Sequence, residues 1–425
     1  MLLPRQMLLA QRLVDRALPD PAAEVATRLG AIEGDDWRGR SVAVGLGSRG
    51  IDRIALVAST VVDWLRARGA RPFVMPAMGS HGGGTAAGQT DLLASYGITE
   101  ARLGVPIRAD METEPIGAAE SGMPVHLSKV ALAADAVVLV NRVKPHTDFS
   151  SATVGSGLRK MCAIGLGKVE GAAASHLAAS RIGHERVIAE VARVVTARLP
   201  RLYGVALLEG GTHRLARAAV LRGEAFEAEE PALFALAWQW MPALPFREVD
   251  VLIVDEIGKD ISGAGMDTNI IGRGVDLLPM ANRRSVIRAI YARGLTPASH
   301  GNAVGIGLAD IVSSRLVAQM DPAVSYTNAL SAMTPATVRV SIHFPADEAC
   351  IRAALRVAGV EPQAARILRI RSTLQLAHVV ASDAYADALR DRDDLTVAAP
   401  ASPWTFDAAG NLDPATDLLA AAAAA

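Results

Sequence analysis

Three histidines and a lysine stand on glycine-rich backbone in the first half of the sequence. His81 lies in GSHGGGT. His146, Lys160 and His176 lie in residues 141–176, NRVKPHTDFSSATVGSGLRKMCAIGLGKVEGAAASH. Imidazole titrates near neutrality and suits proton transfer, and glycines leave the main chain bare and permit positive φ. On residue type alone His81 is equally an ordinary loop histidine. Lys144 and His146, two apart in KPHTDF, share one face if the strand before them continues. A cation beside a base suits a carboxylate or phosphate, though ordinary surface charge explains the pair equally well. The Lys160 amine can bind phosphate or form a covalent link. GSGLRKM does not match the phosphate-binding GxxxxGK[ST], and GLGKVEG misses the dinucleotide GxGxxG by one residue. His146 and His176 are too far apart for a local metal motif such as HExxH.

Hydrophobic periodicity indicates the elements that must position these groups. SVAVGLGSRG (41–50) is a β-branched run ending in glycines, a strand entering a loop. IDRIALVASTVVDWLRARG (51–69) has helical spacing and a stop signal at Gly69. RPFVMPAMGS (71–80) is the next strand and loop, and TAAGQTDLLASYG the next helix. ADAVVLVNRVKPH (134–146) reads as a buried strand delivering Asn141, Arg142, Lys144 and His146 at its carboxyl end. A helix is expected from Ser175 to Arg198. This alternation predicts an α/β fold with mainly parallel sheets, in which ligands bind beyond the carboxyl ends of strands. The Pro-bearing link MPALPFREVD sets a domain boundary near 245. The expected organisation is two α/β domains, 1–245 and 246–395, with the active site in the cleft between them. The C-terminal tail, 395–425, is expected to pack back on the N-terminal domain. VDVLIVDEIG opens the second domain and leads into a loop with Lys259, Ser262, Asp267, Asn269 and Arg273.

Of the 425 residues, 51% are hydrophobic and 20% charged, a core supply that argues against disorder. A net charge of -1 argues against electrostatic nucleic-acid binding. No run reaches the ~18 apolar residues of a spanning helix, and the first twenty residues lack the layout of a signal peptide. Cys162 and Cys350 are the only cysteines, which excludes a disulfide framework. The expectation is a soluble cytoplasmic protein with neither membrane nor nucleic acid as partner.

Order and spacing carry more than any single residue. A histidine on a small-residue loop is followed by a second histidine, a glycine-rich segment ending in Lys160, and His176 sixteen residues later. This pattern resembles the lactate racemase family that carries the nickel-pincer nucleotide, pyridinium-3,5-bisthiocarboxylic acid mononucleotide nickel. The resemblance extends over essentially the whole chain. Arg49, in GSRGI, falls where the family has an arginine that contacts cofactor or substrate. SGAGMDTNIIGR resembles the Asp-x-Asn loop at the start of the family's second domain. The resemblance implies Lys160 as the covalent anchor through a thioamide, His176 as the nickel ligand, and His81 and His146 as the catalytic histidines. It implies Arg49, Gly155, Gly157, Asp267 and Asn269 at the cofactor, with Lys144, Lys259 and Arg273 at the substrate.

The activity so implied is that of an isomerase, a racemase or epimerase of a 2-hydroxy acid. The C2 hydrogen beside a charged carboxylate is hardly acidic. Its removal as hydride is easier when a base takes the hydroxyl proton, and return to the other face of the planar 2-oxo acid inverts the centre. Two histidines then serve the two enantiomers, while a cation, from Arg49, Lys144, Lys259 and Arg273, holds the carboxylate. The hard step belongs to the cofactor, and soft sulfur donors with imidazole suit nickel. Expected partners are the small-molecule acid and the proteins that make the cofactor, and an oligomer is compatible with the pattern. His81 is followed by glycines where lactate racemases usually have Arg-Pro, and the stretch from His146 to Lys160 is longer. The family's glutamine and lysine after Asp-x-Asn are replaced. These differences fall where substrate is held, so the acid can be lactate-like or larger and sugar-derived. Other readings are a homologue that binds an anion or nucleotide without turnover and a nicotinamide-type oxidoreductase. Retention of Lys160, His81 and His146 favours the enzyme, and the failed fingerprint disfavours the oxidoreductase.

Overall fold

The computed structural model describes residues 3–48, 50–199 and 201–424. Its strands, in chain order, begin with β1 (Gln6–Gln11), β2 (Ser41–Leu46), β3 (Arg71–Pro76), β4 (Thr113–Ala118) and β5 (Pro124–Ser128). There follow β6 (Ala136–Arg142), β7 (Leu202–Glu209), β8 (Leu215–Arg222), β9 (Glu248–Ile257) and β10 (Val286–Leu295). The last are β11 (Ile311–Ser313), β12 (Ile342–Phe344), β13 (Ile367–Ile370), β14 (His378–Ser382) and β15 (Leu395–Ser402). The fold is α/β with mainly parallel sheets.

Two compact units divide the chain. The first comprises Val14–His146 and Ser151–Met241. Its five-stranded sheet has the order β3-β2-β6-β7-β8, parallel except for β8. The central strands are buried along nearly their whole length, as in parallel sheets covered on both faces. That is why their sequences read as continuous apolar runs. Val42, Val44, Leu46, Val138, Val140, Val205 and Leu207 share one core with Val57, Val61, Val62 and Leu65 of the helix Ile54–Ala67. That helix stops as expected: Gly69 takes a φ of 77° and returns its N–H to Arg66 O at 2.8 Å. β4 and β5 form a separate antiparallel pair. The helix expected over 175–198 starts earlier and is broken. It runs Lys168–Ile182 and then His184–Arg198, and Gly183, at φ 83°, makes the break.

The second unit comprises the residues up to Leu13, Thr147–Ser150, and the chain from Pro242 onward. Its eight-stranded sheet has the order β12-β11-β10-β9-β13-β14-β1-β15. β12 to β13 run parallel, whereas β14, β1 and β15 pair antiparallel in turn. The tail therefore departs from the expectation that 395–425 packs on the N-terminal domain. It supplies β15 to the second unit and seats Trp404, Leu412 and Leu419 in that unit's core with Val251, Ile253, Ile351 and Leu355. The cause is β1, whose Leu8 faces Val380 on one side and Ala399 on the other. No helix among the described residues is long and apolar enough to cross a membrane.

Buried ion pairs tie the tail to the sheet. Asp347 has no exposed surface. It accepts hydrogen bonds from Tyr291, Arg315, Arg293 at 2.8 Å and the Leu412 N–H at 2.9 Å. Burial alone would raise its pKa, but bonding and charge from Arg293, helped by Tyr291 and the Leu412 N–H, hold it well below the usual carboxylate range. Asp255 accepts from Arg293 at 2.6 Å and from Arg369 at 2.9 Å, and Arg369 reaches Asp417 at 2.7 Å. Removing one partner of such a network leaves a buried charge uncompensated. Asp347→Ala is expected to destabilise the protein by roughly 3–5 kcal/mol in denaturant unfolding, and a change under ~1 kcal/mol would contradict a structural role.

Candidate functional site

β2 pairs in parallel with β3 on one side and β6 on the other, in matched register. The loops after all three strands therefore leave from the same sheet edge, where α/β sheets bind ligands. The β2 loop carries Ser48, the β3 loop His81, and the β6 loop Lys144 and His146. Arg49 lies outside the described residues. A Cβ on Gly47 would meet Asn141 Oδ1 at 2.8 Å, so the β2 loop lies directly against the end of β6.

His81 is exposed, and its Nδ1 is hydrogen-bonded to Ser48 Oγ. The Tyr96 hydroxyl in turn holds the Ser48 carbonyl at 2.5 Å. When Nδ1 donates to Ser48 Oγ, Nε2 carries the lone pair of a base; in the imidazolium Nδ1 keeps that bond and Nε2 carries the proton of an acid. The glycines after His81 are set by backbone geometry. Gly82, Gly83 and Gly84 all take φ between 64° and 67°, and a Cβ on Gly82 would lie 2.6 Å from Gly88.

The glycine-rich segment is fastened at both ends. Lys144 and Ser156 exchange backbone hydrogen bonds of 3.1 and 2.8 Å, and Asn141 Nδ2 donates to Gly157 O at 3.2 Å. A Cβ on Gly155 would lie 2.3 Å from Lys144 O, and one on Gly157 2.3 Å from Glu230 Oε1. Internal packing thus accounts for glycine at both positions. Glu230 is buried and takes the N–H groups of Leu158 and, at 3.3 Å, Arg159, whose Nε adds a 2.8 Å bond. Burial raises the Glu230 pKa against the pull of Arg159. Lys160 follows, half-buried, and leads into a π-helical turn, Met161–Gly165. Such turns recur at functional sites. His176 sits half-buried in the helix Lys168–Ile182, edge-on to His184 with ring centroids 6.1 Å apart.

The turn after Lys160 is joined to the His81 loop. Gly79 N donates to Gly165 O at 3.2 Å, and a Cβ on Gly165 would lie 2.6 Å from Ala77 O. Beneath them is Lys168, absent from the expected site. It is fully buried and donates to Pro76 O at 2.8 Å and Gln89 Oε1 at 3.4 Å. The sixteen-residue step from lysine to histidine therefore occurs twice, as Lys160–His176 and as Lys168–His184. Only the first lysine has exposed surface. Nothing in the local sequence marks Ser48, Gln89 or Glu230 either. A capping carboxylate or a buried amide has no local pattern to announce it.

In the second unit Lys259 donates to Gly263 O. Asp267 caps the helix Thr268–Ile271 and accepts both the backbone and side-chain N–H of Asn269 at 3.0 Å. Arg273, expected at the substrate, is instead forked onto Asp310 with two bonds of 3.0 Å and a third of 2.8 Å to Leu308 O. The fork matches a carboxylate, and Asp310 supplies one. Thr147 and Ser150, just after His146 in the chain, bond to Thr268 at 2.6 Å and Asn282 at 2.7 Å within this unit.

Neither a protein-family model nor a curated protein matches the chain. Among solved structures it is similar to the lactate racemase apoprotein of Thermoanaerobacterium thermosaccharolyticum. The TM-score is 0.53 at 13% identity, over 86% of this chain and 94% of that one. A Thermotoga maritima protein solved by a structural genomics consortium gives a TM-score of 0.49 at 14% identity, over 66% of this chain and 72% of that one. The chain thus shares the fold of the lactate racemase apoprotein.

Burial lowers the Lys168 pKa from 10.5 to about 8, with Asp110 pulling weakly the other way. Between those values the unfolded chain holds a proton that the folded chain has released. Stability contributed at this position therefore rises as pH climbs from about 8 to 10.5. Over that window wild type is expected to gain up to roughly 3 kcal/mol relative to Lys168→Met in urea unfolding. Parallel pH profiles for the two proteins would contradict the shift.

Proposed function

We propose that the protein is a nickel-pincer-nucleotide-dependent racemase or epimerase of a 2-hydroxy acid. The observation that carries this reading is the joining of the His81 loop to the turn after Lys160, through Gly79 N and Gly165 O. It holds an exposed imidazole and a half-buried amine on one fixed backbone assembly. The shared fold supports the same reading.

The residues fit the cofactor. Lys160 offers a primary amine with exposed surface to a thioamide link, and its segment is held by Glu230. Among the described residues no group of three or more His, Cys, Asp or Glu is set to hold a metal. A single imidazole, His176, suits a metal whose other donors arrive with the cofactor. When bound, that group supplies a two-electron sink for the C2 hydrogen. His81 takes or returns the hydroxyl proton at Nε2, with Ser48 at Nδ1 fixing the ring. His146 serves the opposite enantiomer. Arg49, Lys144, Lys259 and Arg273 are the candidate cations for the carboxylate, with the Arg273 fork engaged by Asp310 and the Lys259 amine by Gly263 O in this structure. Asp267 and Asn269, bonded to one another in the second unit, and Gly155 and Gly157 in the first are the remaining residues that the resemblance implies at the cofactor. The 2-hydroxy acid and the cofactor-making proteins are the partners, and the cytoplasm is the compartment where those proteins and this chain meet.

Co-expression with the cofactor-making proteins followed by intact-mass and nickel analysis tests the anchor. Wild type is expected to carry the added mass and Lys160→Ala to lack it, whereas an unshifted wild type without nickel rejects the proposal. His81→Ala and His146→Ala are expected to keep mass and nickel while losing turnover of a 2-hydroxy acid by ~10²-fold or more. A loaded wild type that turns over no acid in a broad panel favours a binding homologue instead.

A further inference from the structure

Lys168 is an improbable residue at its position by every local criterion. Its φ is 53°, in the left-handed region that favours glycine, and it begins a helix. A non-glycine residue held there carries strain of about 1 kcal/mol or more, which persists only where surrounding contacts over-determine it. Its side chain has no exposed surface, so the ammonium is desolvated as well. Those two penalties are set against two contacts, a 2.8 Å bond to Pro76 O and a 3.4 Å bond to Gln89 Oε1.

The second contact reaches the site. Gln89 is itself fully buried, in the helix Ala86–Ser95. Its Nε2 donates to Gly79 O at 2.8 Å and to His81 O at 3.2 Å. Both amide hydrogens are thus committed to the main chain of the His81 loop. An amide can turn over and exchange its oxygen for its nitrogen, since the two ends have nearly the same shape. Turned over, Gln89 would present its oxygen to two carbonyl oxygens and lose both bonds. Lys168 is a pure donor, so it accepts only the orientation in which Oε1 faces it. The ammonium sets the amide, and the amide sets the loop. Pro76, at the other end of the same loop, is held by the same ammonium.

We propose that Lys168 is a positioning residue for His81, acting through Gln89. This rests on reading His81 as the proton-transferring group, and it separates the two lysines that precede a histidine by sixteen residues. Lys160 anchors, and Lys168 positions.

The test uses the full chain with 15N-labelled histidine and reads the His81 imidazole correlations, assigned by their loss in His81→Ala. Lys168→Met and Gln89→Leu are both expected to move the His81 signals and alter its tautomer ratio, and the double variant to match the single ones. Val138→Ala, which removes only core packing on β6, is expected to lower the melting temperature and leave those signals in place. His81 signals in Gln89→Leu and Lys168→Met that coincide with wild type overturn the proposal. If one variant does not fold, the other decides. Loaded from co-expression, Lys168→Met is expected to keep the attached mass, with kcat down about tenfold or more and KM within about twofold. Loss of the mass in Lys168→Met together with its retention in Lys160→Ala also overturns it, because Lys168 would then be the anchor. A wild type that never acquires the mass rejects the proposed function alone, and the imidazole spectra still decide the coupling.

Discussion

The near-contact of two turns, Pro76–His81 and Ile164–Lys168, is the constraint on which the candidate site depends. A Cβ on Gly79 would lie 3.0 Å from Ile164 Cγ2, and one on Gly165 2.6 Å from Ala77 O. Side chains are excluded there so that Gly79 N can reach Gly165 O. The parallel register of β2 with β3 and β6 brings the loops to one edge. The glycine contact then converts a shared edge into a fixed relation between the His81 loop and the Lys160 segment.

Loop backbone has no ladder or helix partners, and its buried polar groups must find partners elsewhere. Buried charged side chains meet that need in both units. Glu230 takes the N–H groups that open the turn at Leu158, Lys168 donates to the carbonyl of Pro76, and Asp347 takes the N–H of Leu412 in the tail. Each is a hub that joins irregular backbone to regular elements. The same logic explains why β1 and the tail belong to one unit: β15 completes β1, and Arg369 binds Asp255 beside the tail's Asp417.

Much of the fold is legible in the sequence. β2 and β6 are buried on both faces and so read as apolar runs, β9 shows the run VLIV between Asp250 and Asp255, and Gly69 marks a helix end. The partners of β1 are not legible, because a lone apolar strand carries no information about which sheet receives it. The early start of the helix at Lys168 is hidden by GLGKVEGAAAS, whose glycines and small residues carry no helical periodicity. The loops of His81 and Lys160 are legible as glycine-rich strand ends. Lys168, Gln89 and Glu230 are not, since their roles arise from contacts 92, 79 and 72 residues away along the chain.

The doubled lysine–histidine step shows what spacing can and cannot decide. Lys160–His176 and Lys168–His184 are identical as intervals, and His176 and His184 even lie edge to face. A tether needs an amine that reaches outside the fold, whereas a positioning ammonium needs acceptors within it. Lys160 keeps exposed surface at the entrance to a π-helical turn. Lys168 has none and meets a carbonyl and an amide oxygen. Exchanging the two roles would require an amine buried without exit to be modified and a half-exposed one to hold a loop from below. Burial, read residue by residue, therefore separates two lysines that the interval leaves equivalent, and it supports Lys160 rather than Lys168 for the proposed anchor.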